Sequence, residues 1–337
     1  GIVPKSTFNS KPPKQIQLMV EDARANLTMA ANDAKLFSGG CWDMFNEDDS
    51  QSQSDTTRPE EVLEPNSHHH EDHDELLEVV TLCISPELTL SLSQSSSAFH
   101  GSGRDETGSV VWGASVCLAQ WMAGVTGGAS GTFNQQQQRT QKHPPIVWKG
   151  KRVVELGCGG AIPSLVAHRL GAAEVVATDF DESTLAHARR HVRHNHNVKS
   201  GGTISVQRLD WECLDEGELL KADVVLASDV IYSVAKVLPL IETIRYCLGN
   251  GNDHRTSNNA SGGDGDGKEA RVVVATRDGR RGVEEFLWAM QEPDSGFELL
   301  DTVSMQSTPD NAPDCLKIPS NLGRWVGGHS MYVFGVR

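Results

Sequence analysis

The chain has 337 residues, 38% of them hydrophobic, enough for one large domain with or without a tail. It holds no run of about 18 apolar residues, so no helical membrane span is expected, and no basic-then-apolar leader opens it, so no secretory signal is expected. The net charge of −15 is uneven: residues 1–100 carry 17 acids against 6 Lys/Arg, so nucleic-acid binding, which favours a basic face, is not expected.

Residues 1–74 lack sustained periodicity. Ser, Pro, Asp, Glu and Asn dominate from Asn46 to Asp74, which reads as an acidic disordered tail, with Lys14–Leu36 as a short helix at most. His68, His69, His70 and His73 sit in a polar tract that fixes no coordination geometry, so no metal is expected. The seven cysteines are odd in number and form no C-x-x-C pair, which fits free thiols in a reducing compartment.

Leu76–Gln94 reads as a β-hairpin. Leu88, Leu90 and Leu92 alternate with Thr89, Ser91 and Ser93, and Ser85-Pro86 makes the turn. A helix is expected over Gly113–Ala123. Residues 125–145, with glycines and Gln135–Gln138, read as a low-complexity surface insertion.

From Lys151 onward, strands and helices alternate. Val153-Val154-Glu155-Leu156 runs into the turn Gly157-Cys158-Gly159-Gly160, and a helix over 162–171 leaves it. Glycines let a backbone approach a ligand closely, and the helix start offers unpaired N–H groups. A dinucleotide fingerprint needs glycine at position 162, where Ile162 stands, so NAD is disfavoured. A second buried strand over Ala173–Asp179 ends in Asp179, placed to accept the hydroxyls of a ribose. The plainer alternative for Asp179 is an N-cap for the helix over 182–197. That helix carries Arg189, Arg190, His191, Arg193, His194 and His196, read as a solvated face. Cys158 reads as a small packing residue.

Further strands are expected at Thr203–Leu209, Asp223–Ala227 and Arg271–Thr276, with a closing antiparallel pair at Phe297–Val303 and Met331–Val336. A helical face over Val234–Leu248 contains Pro239 as a kink, and residues 249–267 read as a second low-complexity insertion. Val283, Phe286, Leu287 and Met290 mark one face of a last helix. This alternation gives an α/β, doubly wound, mostly parallel sheet behind an N-terminal β-hairpin extension. A ligand should then sit at the carboxyl ends of the strands.

In order along the chain stand Glu155-Leu156-Gly157-Cys158-Gly159, Thr178-Asp179, Leu209-Asp210-Trp211 and Ala227-Ser228-Asp229-Val230-Ile231-Tyr232. Together they resemble the motifs of class I, seven-β-strand S-adenosylmethionine-dependent methyltransferases. The nearest group is the protein-lysine methyltransferases with D-x-x-Y after the fourth strand. Thr107–Ala114 and Leu118–Trp121 resemble that group's opening helix.

The resemblance implies a Rossmann-like, seven-stranded methyltransferase domain over 75–337. It implies that Gly157, Cys158 and Gly159 line the methionine end of S-adenosyl-L-methionine and that Asp179 holds the ribose. Trp211 would pack on the adenine with Asp210 beside it. Ser228 would touch the cofactor, and Trp112 would close over it. Asp229 and Tyr232 would face the methyl acceptor, Asp229 orienting the amine; the plainer alternative for Tyr232 is a core tyrosine. Where the family often has glycine, Ala161 stands, and its methyl should tighten the pocket slightly.

The function so implied is protein N-methylation, on a lysine of a protein such as a translation elongation factor or chaperone, by a cytoplasmic or nuclear monomer. Small-molecule N-methylation stays open, as does a non-catalytic cofactor-binding module.

Overall fold

In a computed structural model of the chain, the described residues are 78–94, 110–125, 145–195, 201–214, 220–249, 270–305 and 328–337. All fall in the unit Leu76–Arg337. The acidic tail, the Lys14–Leu36 segment, the histidine tract, and nearly all of the 125–145 and 249–267 insertions lie outside the described residues.

The hairpin forms as expected, with β1 over Glu78–Ser85 and β2 over Leu88–Gln94. Leu82, Ile84, Leu90 and Leu92 put one apolar face into the core, as alternation requires. Helix α1 (Gly113–Met122) comes next. It is apolar nearly all round and buried at nine of its ten positions, against β1, the strand Arg271–Arg277 and the next helix.

The main sheet has seven strands. They are β3 (Arg152–Leu156), β4 (Glu174–Asp179), β5 (Thr203–Arg208), β6 (Val224–Ser228), β7 (Arg271–Arg277), β8 (Phe297–Met305) and β9 (His329–Val336). Their spatial order is β5-β4-β3-β6-β7-β9-β8. The first five are parallel, while β9 runs antiparallel to both β7 and β8. The central strands β6 and β7 are Val/Ala-rich and buried on both faces, whereas β5 at the edge has only exposed or half-buried residues. Helices α2 (Ile162–Arg169), α3 (Glu182–Asn195), α4 (Val237–Leu248) and α5 (Val283–Gln291) fill the crossovers. The doubly wound expectation is met.

Two details differ from the sequence reading. Pro239 does not kink a helix: Val234–Lys236 is a short 3₁₀ turn, and Pro239 lies in the first turn of α4, where a missing N–H costs nothing. The basic run on α3 is not wholly solvated: His187 and His191 are buried, and of its described residues only Arg193 and His194 lie fully on the surface, while His196 lies outside the described residues. No helix among the described residues is long and apolar enough to cross a membrane.

The sheet reverses its winding at β3: the chain moves outward through β4 and β5, then returns to β6 on the other side. In register, Leu156 lies beside Thr178 and Ala227, and Asp179 beside Arg208. The loops after β3, β4, β5 and β6 therefore open on one edge.

Candidate active site

The turn after β3 needs glycine for its backbone path. Gly157 and Gly159 have φ of 62° and 49°, in the left-handed region that glycine enters without cost. A Cβ on Gly157 would lie 2.7 Å from Val230 Cγ1 and 3.5 Å from the Trp211 ring. Gly157 thus lies beneath the segments that leave both β5 and β6.

Ala161 also takes a left-handed conformation, at φ 57°, which costs an L-residue about 1–2 kcal/mol. It is fully buried and packs with Cys158, Ala177 and Ala188. Its methyl is core, so the expectation that it narrows an open pocket is corrected. Cys158 is buried in the same cluster, and burial holds its thiol well above the usual range, so it packs and does not attack.

Asp179 organises the neighbouring loop. Its carboxylate accepts N–H bonds from Gly159 (3.2 Å), Phe180 (2.9 Å) and Asp181 (3.3 Å). Burial pushes its carboxyl up, and those backbone bonds pull it down. The helix-cap role falls instead to Asp181, which accepts the Thr184 N–H at 2.8 Å. Asp179 is thereby free of the cap and turned toward the glycine turn, with one acceptor site left for a further donor.

Asp210 and Trp211 stand just beyond β5. Asp210 accepts the Glu212 N–H at 3.0 Å and faces Arg208 at 3.7 Å, while Trp211 is half-buried against the apolar core below. Glu212 reaches Lys236 at 2.6 Å, which links the loop after β5 to the turn after β6. Ser228 closes β6 and is 9% exposed.

Asp229 comes next at φ 55°, another left-handed residue. Its carboxylate does not stand free: Oδ1 accepts Arg280 Nε at 3.0 Å and Oδ2 accepts Nη2 at 2.8 Å. Trp112, just before α1, lies under the same guanidinium, 5.6 Å from ring centroid to Arg280 Cζ. The fold thus brings Trp112 and Asp229 together through a residue that no motif flagged. Tyr232 is 54% exposed, which removes the core-tyrosine alternative.

Four residues near this edge went unflagged as site residues. Glu155, fully buried below the glycine turn, accepts both the Ser164 N–H (2.9 Å) and its hydroxyl (2.6 Å) through Oε2. Its Oε1 has no hydrogen-bond partner among the described residues. Burial lifts its carboxyl to about 8, against the Ser164 bonds and with Asp179 adding to the rise. Phe180, next to Asp179, is 60% exposed, and Arg208 Nε donates to its carbonyl at 3.2 Å. An aromatic directly after a strand-end acid was the signal for it. His191 contacts Gly160 of the glycine turn, and Arg280 holds Asp229. Neither carries a local sequence signature.

A family model described as lysine methyltransferase matches residues 92–257 of the chain. The chain is 39% identical over 92 residues to a ribosomal protein L11 methyltransferase of Agathobacter rectalis, covering 26% of this chain and 28% of that protein. It is 34% identical over 122 residues to a protein N-terminal and lysine N-methyltransferase, EFM7, of Eremothecium gossypii, covering 32% and 44%. It is 30% identical over 109 residues to a calmodulin-lysine N-methyltransferase of Arabidopsis thaliana, covering 32% and 36%. The chain therefore spans less than half the length of these relatives. The resemblance to class I, S-adenosylmethionine-dependent methyltransferases drawn from the motifs is borne out by these matches.

Proposed function

We propose that this class I methyltransferase-like chain transfers a methyl group from S-adenosylmethionine to a lysine side chain of a protein. The observation that carries the reading is convergence. The glycine turn, Asp179, Asp210-Trp211 and Ser228-Asp229 leave the ends of four adjacent parallel strands on one edge, at the switch point. A structural role explains any one of them; it does not explain all four together.

The residues fit the cofactor. Gly157 and Gly159 add no side chain to the turn offered to its methionine end, and the Cys158 thiol packs in the core. Asp179 keeps one open acceptor site for a ribose hydroxyl, with Phe180 exposed beside it. Trp211 gives an aromatic face for the adenine, with Asp210 near its amine. Ser228 and Trp112 flank the centre. When bound, S-adenosylmethionine supplies a methyl on a positive sulfur, and the acceptor's nitrogen lone pair forms the new bond while the C–S electrons return to sulfur.

The protein's own task is then positioning. A lysine must give its proton to water before its lone pair can react, and an apolar pocket favours the uncharged amine. Asp229 and Tyr232 stand on the acceptor side, Asp229 fixed at the end of β6 and Tyr232 offering an exposed ring and hydroxyl. Elongation factors and chaperones are the acceptor proteins we place first. The enzyme is taken as a cytoplasmic monomer.

The test is incubation of the protein with methyl-labelled S-adenosylmethionine and a cell lysate, then mass spectrometry of the labelled band. Label on lysine supports the reading. Label confined to small molecules replaces it with the small-molecule alternative. Binding of S-adenosylmethionine without any transfer returns the chain to a non-catalytic module.

A further inference from the structure

The turn Asp278-Gly279-Arg280-Arg281-Gly282 joins β7 to α5 and closes on the segment after β6. Gly279 and Gly282 hold left-handed φ of 75° and 91°. A Cβ on Gly282 would come within 3.2 Å of Ile231 and of the Ser233 carbonyl, so the turn can fold back this tightly only with glycine there. Its fold brings Arg280 over Asp229. The contact is a side-on fork with both carboxylate oxygens occupied, at 3.0 and 2.8 Å. Asp229 is 4% exposed and Arg280 21%. The same guanidinium lies over the Trp112 ring.

The charges around the pair are balanced. His329 on β9 lies within reach of the charges of Asp229 and Arg280, and also of Asp278 in the turn and Arg277 at the end of β7, while Tyr232 stands on the segment after β6. Asp278 is bonded to Ser330, and burial keeps His329 below its usual range against the pull of Asp229 and Asp278. Two acids thus meet two arginines. A bare, nearly buried carboxylate here would act differently: it would bind an incoming lysine as ammonium, whose lone pair is engaged by its proton.

We propose that Arg280 is a positioning residue that neutralises and aims Asp229, so that the acceptor side takes the uncharged amine and rejects the ammonium. The proposal rests on the lysine-methylation reading above and adds what selects the reactive form of the acceptor.

The probe is butylamine, the lysine side chain without its backbone, titrated by NMR into the full-length protein loaded with S-adenosylhomocysteine. Wild type should bind it more tightly at pH 9.5 than at pH 7, following the neutral fraction. Arg280→Met should reverse this and bind butylammonium at pH 7 about tenfold more tightly than wild type, a gap of about 1.4 kcal/mol. Arg280→Lys, which keeps the charge, should behave as wild type at pH 7. Arg280→Gln keeps an N–H toward Asp229 without the charge and should match Arg280→Met, so it serves if the methionine variant does not fold. Equal butylammonium binding by wild type and the uncharged variants at pH 7 overturns the proposal. Absence of methyl transfer to any lysate lysine removes the functional reading and leaves the butylamine comparison to decide this one.

Discussion

His191 Nε2 lies 2.9 Å from both the amide nitrogen and the carbonyl oxygen of Ser93, as a neighbouring strand's backbone would. One turn later, Asn195 repeats the pattern on Ser91, accepting its N–H at 2.8 Å and donating to its carbonyl at 2.6 Å. Two side chains of α3 therefore satisfy the free edge of β2. The other ring nitrogen of His191 lies 2.8 Å from the Gly160 carbonyl. Since Gly160 O only accepts, Nδ1 carries the proton in the neutral ring and Nε2 accepts the Ser93 N–H. His191→Ala should cost about 2–4 kcal/mol, from the two orphaned buried groups and the space left behind. It should also weaken S-adenosylhomocysteine binding, because the glycine turn loses its tie to the hairpin. Urea unfolding and calorimetry read the two effects; a loss of stability with unchanged affinity would confine His191 to the hairpin.

Stability should peak between about pH 6 and 7, and two sets of groups set the limits. Burial, then the neighbouring His191, pushes His187 down to about 3, and burial lowers His191 as well. A base with a depressed folded pKa leaves the unfolded state binding more protons, so stability falls as pH drops below the ordinary histidine value near 6.5. Glu155 acts in the opposite direction. Its folded value of about 8 means that the folded state holds a proton the unfolded chain has lost, so stability falls as pH rises from the ordinary glutamate range through about 8. Glu155→Gln should flatten the alkaline side of the melting profile and leave the acid side in place. An unchanged fall above pH 7 would mean that Glu155 is ionised in the folded protein.

Asp179→Ala should weaken S-adenosylmethionine binding by about 1.5–3 kcal/mol, the range for hydrogen bonds made by a charged group. The change also frees the Gly159 N–H, so the glycine turn loosens at the same time. Asp179→Asn keeps one acceptor and should lose less. Calorimetry with S-adenosylmethionine and NAD tests both affinity and choice. Tight NAD binding would contradict the cofactor assignment, and an unchanged affinity in Asp179→Ala would remove Asp179 from the site.

Gly157→Ala should be among the costlier single-methyl changes in the chain. The left-handed backbone alone adds about 1–2 kcal/mol, and the new Cβ would press on Val230 at 2.7 Å. Gly160→Ala meets only the edge of the His191 ring, at 3.3 Å, and should cost less. Thermal melts of the two variants give the order, and equal melting points would mean that the segment after β6 yields without cost.

Much of this edge was legible because its signals are local. Val153–Leu156 before glycine, and Val175–Ala177 before Asp179, announce buried parallel strands that end in a turn or an acid. Motif order then predicted which loops share an edge. The features that stayed hidden depend on contacts distant in sequence. Arg280 meets Asp229 across 51 positions, because β7 pairs with β6 and two glycines turn the chain back. His191 sits in a basic run that composition assigns to solvent, and only the docking of β2 on α3 shows its burial. Glu155 was visible as a letter, but its protonation comes from full burial beneath α2, which no spacing reveals.

The most direct test of the account compares wild type with Asp229→Ala in labelled-methyl transfer to lysate protein, with S-adenosylhomocysteine affinity measured on the same samples. If Asp229 acts on the acceptor, the variant should lose transfer by about a hundredfold or more while cofactor affinity stays within about threefold. That pattern marks an interaction felt mainly in the transition state. Tyr232→Phe should fall less, because the ring remains. Full transfer by Asp229→Ala would contradict the account, since the acceptor side would then have to lie elsewhere on the sheet edge.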